Sequence, residues 1–377
     1  MGMKVLHLID SGGLYGAEQM LLALVNAQLS MGMEPIILSV GDLGIVEKPI
    51  EREAERLGLP IKVWRMVPGL NRQETSKICD WAEQWGVDLV HSHGYKFNIL
   101  MGLFGRFRKP IPVITTLHGY VHAPIFTRMW VYEVLDRLAI SRMKKVVLVG
   151  DAMKKELPGN LASSKKISII RNGISIDEIM TRSRRDLPKD VHQFLQQHNP
   201  VILGVGRLSR EKGFDLLVSA FREILADYPR AGLLIAGEGT RRSELEALVN
   251  EYNISGQTLM PGYCENIPAL MARSSVLVIS SSTEGLPITL LEALAVQLPV
   301  VSTSVGEIPY VLAGGAHGVL VEKVLESRLA NAVKGVFEDP ESARDRTEGG
   351  FKMLCDEFSA SAMACQYLKV YEQALML

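Results

Sequence analysis

Several features that mark particular protein classes are scarce in this sequence. Its 377 residues hold 4 cysteines, Cys79, Cys264, Cys355 and Cys365, with no C-x-x-C pair among them. That scatter argues against a zinc site or a disulfide framework and suits a reducing compartment. Neither sign of charge dominates, with 41 basic against 42 acidic residues, so a protein built to coat nucleic acid is not expected. Every long apolar run is broken by Gly, Arg or Pro before it reaches the length of a membrane span. No apolar leader precedes the strand-like Lys4-Val5-Leu6-His7-Leu8-Ile9, so a cytoplasmic location is expected. Short repeats and low-complexity tracts are also missing.

What is present is the composition of a soluble globular protein, 47% hydrophobic and 22% charged, with enough residues for two domains. Short β-rich apolar runs at 4–9, 35–40, 61–65, 89–93, 112–117, 146–149 and 167–170 alternate with amphipathic stretches. Strands alternating with helices predict a parallel sheet covered on both faces, and near-continuous apolar strands agree with that. From 171 to 200 the chain turns polar, and the domain junction is expected there. The alternation restarts at Val201 with strands at 201–205, 233–236, 258–261, 276–279 and 300–303. From 330 onward the tail is expected to be wholly helical, with Phe358, Met363, Tyr367, Val370 and Tyr371 at helical spacing.

Two doubly wound α/β domains bind ligands at the carboxyl ends of their strands, so the loops that follow strands carry the functional information. The most informative runs from Ser280 to Ala293. Gly285 permits close approach of backbone to a ligand, Pro287 suits a first helical position, and the following helix start favours an anion. Glu284 and Glu292 are acceptor-only carboxylates, suited to sugar or ribose hydroxyls rather than to phosphate. A second loop, Gly206-Arg207-Leu208-Ser209-Arg210-Glu211-Lys212-Gly213, offers Arg207 and Lys212 as the cations a diphosphate calls for. The loop Ser11–Glu18, with Gly12, Gly13 and Gly16, lacks G-x-G-x-x-G spacing. It reads as a glycine-rich anion site or as a tight turn alone. His118, in Thr115-Thr116-Leu117-His118-Gly119-Tyr120, ends a strand beside a glycine, while His91 and His93 read as structural. Ala236-Gly237-Glu238-Gly239 and Pro261-Gly262-Tyr263-Cys264 are further loops suited to flanking a nucleotide.

Taken together, Glu284 and Glu292 with seven residues between them within E-G-L-P-…-L-L-E-A, G-R-L-x-x-x-K-G at 206–213 and A-G-E-G at 236–239 resemble the motifs of retaining glycosyltransferase family 4. The order and spacing agree along nearly the whole chain. The resemblance implies a GT-B fold, two facing Rossmann-like domains with a last helix crossing back to the first. An acceptor-binding domain would span 1–175 with the helix 359–377, and a donor-binding domain 195–358. Arg207 and Lys212 would hold the donor diphosphate. Glu284, with amides near Gly285 and Leu286, would bind donor-sugar hydroxyls, and Glu292 the ribose. His118 would face the donor sugar. The Gly12–Gly16 loop, including Gly13 and Gly16, would lie near phosphate and acceptor. Gly237, Gly262, Tyr263 and Pro287 complete the expected donor site. Gln297, Glu307 and Tyr310 depart from the family pattern, Gln297 where glycine is usual.

The implied reaction moves a sugar from a nucleoside diphosphate, UDP favoured and GDP possible, to an acceptor hydroxyl with retention. A hexosyl or N-acetylhexosaminyl group would go to a sugar or lipid-linked saccharide in surface polysaccharide or glycan assembly. No Asp-x-Asp occurs, in agreement with a metal-independent site, and no cofactor is expected beyond the donor substrate. A front-side attack is favoured over a glycosyl-enzyme. A sugar-nucleotide epimerase and a silent scaffold subunit are the rival readings, and a nicotinamide dehydrogenase is weaker because the dinucleotide fingerprint fails. The segments 98–109 and 126–130, with Arg142, Lys144 and Lys145, mix apolar and basic residues. They suggest peripheral binding to an anionic membrane at the inner face, against the competing reading of a core helix at 99–107.

Overall fold

Strands that are apolar on both faces must be covered on both sides, and the computed structural model meets that need twice. It describes every residue except Met1, Pro68, Leu70, Arg106, 120–126, Pro158, Lys323, Val324 and Leu377. Tyr120, Phe126 of the segment 126–130 and Arg106 of the segment 98–109 lie outside the described residues. Contacts divide the chain into one unit of 1–174 with 357–377 and another of 175–356.

Among the described residues of the first unit, seven strands form one parallel sheet. They are β1 (Lys4–Ile9), β2 (Glu34–Asp42), β3 (Ile61–Met66), β4 (Leu89–Ser92), β5 (Val113–Leu117), β6 (Lys145–Leu148) and β7 (Ile167–Ile169). Their order is β3-β2-β1-β4-β5-β6-β7, and Val5 of β1 is registered with Pro35 on one side and Leu89 on the other. The helix Gly16–Ser30 and the C-terminal helix Ala360–Met376 cover one face. On the C-terminal helix Met363, Ala364, Tyr367, Val370, Tyr371 and Ala374 recur every three or four residues. They pack with Met20, Leu24 and Ala27 over Val5, Leu89, Ile114 and Val147.

The second unit repeats the pattern with β8 (Val201–Val205), β9 (Gly232–Ala236), β10 (Thr258–Gly262), β11 (Val276–Ile279), β12 (Val300–Thr303) and β13 (Val319–Val321), ordered β10-β9-β8-β11-β12-β13. In both sheets the order reverses beside the first strand of the unit. That is the topological switch point, where open α/β sheets bind ligands.

The structure departs from the sequence reading at three places and accounts for a fourth feature, Gln297. The stretch 175–194 packs with the second unit through the helices Ile176–Ser183 and Lys189–Gln197. Asn266 Nδ2 donates to the Arg182 carbonyl at 3.0 Å and Arg273 Nη1 to that of Ser183 at 3.0 Å. Strand β13, three residues long, is too short to announce itself as an apolar run. The tail is not one helical block. Asp339 interrupts it and caps Pro340–Met353 by accepting from the Ser342 N–H at 3.0 Å, and a π-helical turn, Leu354–Phe358, precedes the last helix. Finally, Gln297 adopts φ 55°, a left-handed conformation that glycine takes without steric cost, which accounts physically for glycine at such a turn.

Candidate active site

The carboxyl ends of β8 and β11 lie side by side at the switch point of the second sheet. After β8 the chain passes through exposed Arg207, anchors itself with buried Leu208, and reaches Lys212 in the short 3-10 turn Arg210–Lys212. After β11 come Ser280–Pro287 and then the helix Ile288–Ala295. The two loops are stitched together. The Ser282 N–H donates to the Glu211 carbonyl at 2.8 Å, and Ser280 Oγ donates to the Lys212 carbonyl at 2.9 Å.

This stitching brings Lys212 Nζ to Glu284 Oε1 at 2.6 Å, with Ser281 Oγ donating to the same oxygen at 2.6 Å. Gly206, Arg207, Glu211, Lys212, Thr283, Glu284, Gly285 and Pro287 are among the residues lining a cavity of about 510 Å³. A cavity of about 550 Å³ lies in the same unit at the opposite, amino ends of the strands, bordered by Pro200, Ser275 and Pro299. Strand polarity favours the first as the ligand site.

Two glycines shape this region sterically. Gly237 has φ 150°, and a Cβ there would stand 1.8 Å from the Gly206 carbonyl oxygen. Gly306 has φ 58°, and its Cβ would stand 2.1 Å from the Glu284 carbonyl oxygen. Beside it the Glu307 N–H donates to the Gly285 carbonyl at 3.0 Å. The turn around Glu307 thus backs the Glu284 loop.

Of the other expected site residues of this unit, Pro287 lines the cavity, whereas Leu286, Gly237, Gly262, Tyr263 and Glu292 stand apart from its lining. Pro287 is the N-cap of the helix, not its first residue, with extended φ −70° and ψ 124°. Leu286 is half-buried. The Gly237 N–H donates to the Gly262 carbonyl at 2.8 Å, and Tyr263 beyond it is 80% exposed. Glu292 is the fifth residue of the helix Ile288–Ala295, just over one turn in and 8% exposed. Burial pushes its carboxyl up to about 7, with the Arg182 guanidinium pulling the other way. Arg182 is a neighbour that the sequence reading missed, because it lies in the polar stretch assigned to the junction. Gly306, Ser281 and Thr283 were missed as well.

In the first unit, Gly13 is buried, and a Cβ there would meet the Tyr15 ring at 2.5 Å, while Gly16 opens its helix with free space around it. Glu18 of the same helix accepts from the Tyr15 N–H at 3.0 Å, placing a carboxylate where an anion would otherwise bind. His118 is partly buried, 3.5 Å from His93 Nδ1 through its Nε2, and burial lowers its imidazole to about 4.

The fold and this site define a class: a pair of Rossmann-like units, one with a cationic and carboxylate-bearing cavity at its switch point. Comparison gives the family. The model described as Glycosyltransferase Family 4 matches residues 15–178, and that described as Glycosyl transferases group 1 matches 189–353. The chain belongs to the group 1 glycosyltransferases of family 4, and its fold class is GT-B. It is 23% identical over 366 residues to N-acetyl-alpha-D-glucosaminyl L-malate synthase of Bacillus anthracis, covering 89% of this chain and 95% of that one. It is 25% identical over 382 residues to the lipopolysaccharide core biosynthesis glycosyltransferase LpsE of Rhizobium meliloti, covering 98% of each. Among solved structures, Anabaena HepE in complex with UDP superposes with a TM-score of 0.74 at 19% identity, covering 98% of this chain and 100% of that one.

The raised Glu292 carboxyl gives a prediction with a definite sign. A carboxyl whose folded value lies above its unfolded value of about 4.3 holds its proton in the native state through the interval where the unfolded chain has lost it. Its contribution is full below about 4.3 and is lost as pH rises to about 7. The slope is at most about 1.4 kcal/mol per pH unit. Glu292→Gln is expected to remove this component, and denaturant titrations of both proteins at several pH values measure it. Parallel pH profiles would count against it.

Proposed function

We propose that the chain transfers a hexosyl or N-acetylhexosaminyl group from a nucleoside diphosphate sugar, UDP favoured, to an acceptor hydroxyl with retention of anomeric configuration. The observation that carries this reading is Lys212, Arg207 and Glu284 on one cavity at the switch point of the second sheet. As the glycosidic bond to the diphosphate breaks, negative charge builds on the leaving phosphate. Fixed cations there stabilise that charge more than they stabilise the bound substrate. Glu284 suits a sugar hydroxyl. Its Oε1 is already engaged by Lys212 and Ser281, which favours a positioning role over that of a nucleophile. The leaving phosphate is then the base for the acceptor proton, as in a front-side displacement. Glu292 is assigned to the ribose and His118 to the donor sugar. Gly237, Gly262 and Tyr263 are assigned to the nucleotide. The UDP in HepE supports the choice of base.

The test is thermal stabilisation by UDP-sugars and GDP-sugars. Mass action predicts a rise of about 2.7 kcal/mol at a ligand concentration one hundred times Kd. A rise with a UDP-sugar, lost in Arg207→Ala and unchanged by EDTA, is expected. No shift with any sugar nucleotide would contradict the reading. A turnover that EDTA abolishes and one divalent ion restores would contradict metal independence.

The proposed acceptor is a lipid-linked saccharide, with the first unit resting on an anionic membrane. LpsE, named for lipopolysaccharide core biosynthesis, supports this acceptor class. No helix among the described residues is long and apolar enough to cross a membrane. The surface that supports docking differs from the one first suggested. Ile99, Leu100 and Met101 are buried, and Phe104 and Phe107 pack on the same core, so the apolar part of 98–107 belongs to the interior. Lys145 is buried too, its Nζ donating to Gln373 Oε1 at 2.7 Å. The helix Arg128–Arg142 instead exposes Val131, Val134 and Leu138 on one face, with Arg142 and Lys144 exposed at its end. Co-sedimentation with anionic but not neutral vesicles at low salt is expected, weakened by Val134→Glu with Leu138→Glu. No binding to anionic vesicles at low salt would point to a soluble acceptor.

A further inference from the structure

The carboxyl ends of β1, β2 and β4, at the switch point of the first sheet, carry an ion cluster that the donor site does not use. Asp10 follows β1, Lys48 lies in the loop after β2, and Lys96 belongs to the short helix Tyr95–Ile99 after β4. Lys48 Nζ donates to Asp10 Oδ1 at 2.6 Å and Lys96 Nζ to Asp10 Oδ2 at 2.6 Å, so each carboxylate oxygen holds one ammonium. Lys48 Nζ also donates to the Val40 carbonyl. The clamp is braced by its surroundings. Gly41 makes room for the lysine stem, since a Cβ there would stand 2.7 Å from Lys48 Cε. The Lys48 N–H donates to Glu51 Oε2 at 3.0 Å, and the Arg65 guanidinium grips Glu51 in turn at 2.9 and 2.7 Å.

Burying a lysine strips its ammonium of water, and an ion pair offsets that loss only with good geometry. What this arrangement secures is a carboxylate fixed in place and kept ionised. Burial works to raise the Asp10 carboxyl, and the bonds from Lys48 and Lys96 outweigh it and hold it below the ordinary range. The carboxylate itself stays within reach. The Asp10 side chain is 29% exposed, against 5% for Lys48 and 16% for Lys96. An ionised carboxylate offers about four lone-pair sites, and the two lysines take two of them. The others accept and cannot donate, so they call for the hydrogens of hydroxyls or of an ammonium.

Charge decides between these. Lys96 Nζ also lies 3.8 Å from Asp42 Oδ1, so two ammoniums face two carboxylates, and the adjoining Arg65–Glu51 pair is balanced as well. A phosphate would meet repulsion from Asp10 and an ammonium repulsion from the lysines, with no net charge to attract either. Neutral hydroxyls fit. The cavity of the second unit differs, because Arg207 is added there to the Lys212–Glu284 pair. The same strand ends of the first unit present exposed aromatic rings. Tyr95, next to Lys96, is 50% exposed, and Tyr15, whose ring crowds Gly13, is 70% exposed. The C–H face of a sugar packs on such a ring by dispersion.

We infer that Asp10, clamped between Lys48 and Lys96, binds hydroxyls of the acceptor sugar in a charge-balanced subsite that selects an uncharged sugar over phosphorylated and amino sugars. Lys48 is a positioning residue, buried behind the carboxylate it holds. That the bound sugar is an acceptor rests on the proposed transferase reading, whereas the subsite and its charge selectivity do not.

Saturation-transfer NMR without donor tests the subsite, using methyl glucoside, galactoside and mannoside with their phosphate and amino derivatives. The native protein is expected to bind at least one neutral methyl hexoside, and its charged derivatives about tenfold more weakly. Glu284→Gln, altered only in the second unit, is expected to bind the hexoside as the native protein does. Asp10→Asn is expected to weaken hexoside binding about tenfold and to turn the preference toward the phosphate derivative, since two ammoniums then face one carboxylate. Lys96→Met is expected to turn it toward the amino derivative. Melting curves show whether each variant folds, and the ligand series on native protein stands without them. No binding of any neutral hexoside, a native preference for a charged derivative, or an unchanged preference in both folded variants would overturn the inference. In turnover, Asp10→Asn should raise the acceptor KM about tenfold with the donor KM unchanged. Hexoside binding with this selectivity but no transfer would keep the subsite and remove the transferase reading. Transfer with the acceptor KM unchanged in Asp10→Asn would remove Asp10 from the acceptor.

Discussion

Lys212→Ala and Arg207→Ala are each expected to lower turnover about 10²–10³-fold at saturating donor, equivalent to about 2.7–4 kcal/mol of transition-state stabilisation. The two side chains reach the cavity from the same loop but are held differently. Arg207 is exposed, so its loss removes charge without opening a core. Lys212 is fixed by Glu284 at 2.6 Å, and its stem runs past Gly206. An ammonium has three donors, and one bond to Glu284 leaves two for phosphate oxygens. Removing it takes away a cation whose position is set before the donor arrives, which is why its loss should appear in kcat. Arg207→Ala should leave the melting transition nearly unchanged, whereas Lys212→Ala should lower it, since Glu284, whose side chain is 11% exposed, loses its counter-charge. Steady-state kinetics at saturating donor with melting curves on the same samples check both points. Near-normal turnover in both variants would remove the diphosphate from this loop.

Glu284→Gln is expected to impair transfer about 10–100-fold and to yield no covalent sugar adduct. The amide keeps the shape and one acceptor oxygen, so Ser281 retains a partner. What it loses is charge. A hydrogen bond to an ionised group is roughly twice as strong as a neutral one, and such bonds are worth about 1.5–3 kcal/mol each. Lys212 would be left without a counter-charge, so part of the loss passes through its positioning. Rates on the variant, with intact-mass spectra of native enzyme during turnover, make the check. A glycosylated Glu284 in those spectra would replace the front-side course with a double displacement.

How much of this was legible beforehand depends on how local the signal is. Residues 4–9, 201–205, 276–279 and 300–303 read as strands and are β1, β8, β11 and β12 as drawn from the sequence. Short runs rich in Val, Ile and Leu carry their own evidence. Strand β13 did not, because three residues set no pattern. Lys212 and Glu284, 72 positions apart, were both singled out as loop residues. Their ion pair was not foreseeable, since it depends on β8 and β11 being neighbours. Arg182 was passed over for the same reason: its relation to Glu292 exists only once the helix Ile176–Ser183 packs in the second unit. His91 and His93 were read as structural, and their burial agrees. The sequence does not reveal that they link Tyr371, 280 positions from His91, to His118.

The central claim, retaining transfer from a sugar nucleotide, is tested most directly by following an isotopically labelled donor by NMR, with and without acceptor. The account predicts product only when acceptor is present, with the transferred sugar keeping the anomeric configuration it had in the donor, and free nucleoside diphosphate released in equal amount. An inverted linkage would contradict the mechanism. An isomerised sugar nucleotide formed without acceptor would make the protein an epimerase and contradict the account as a whole.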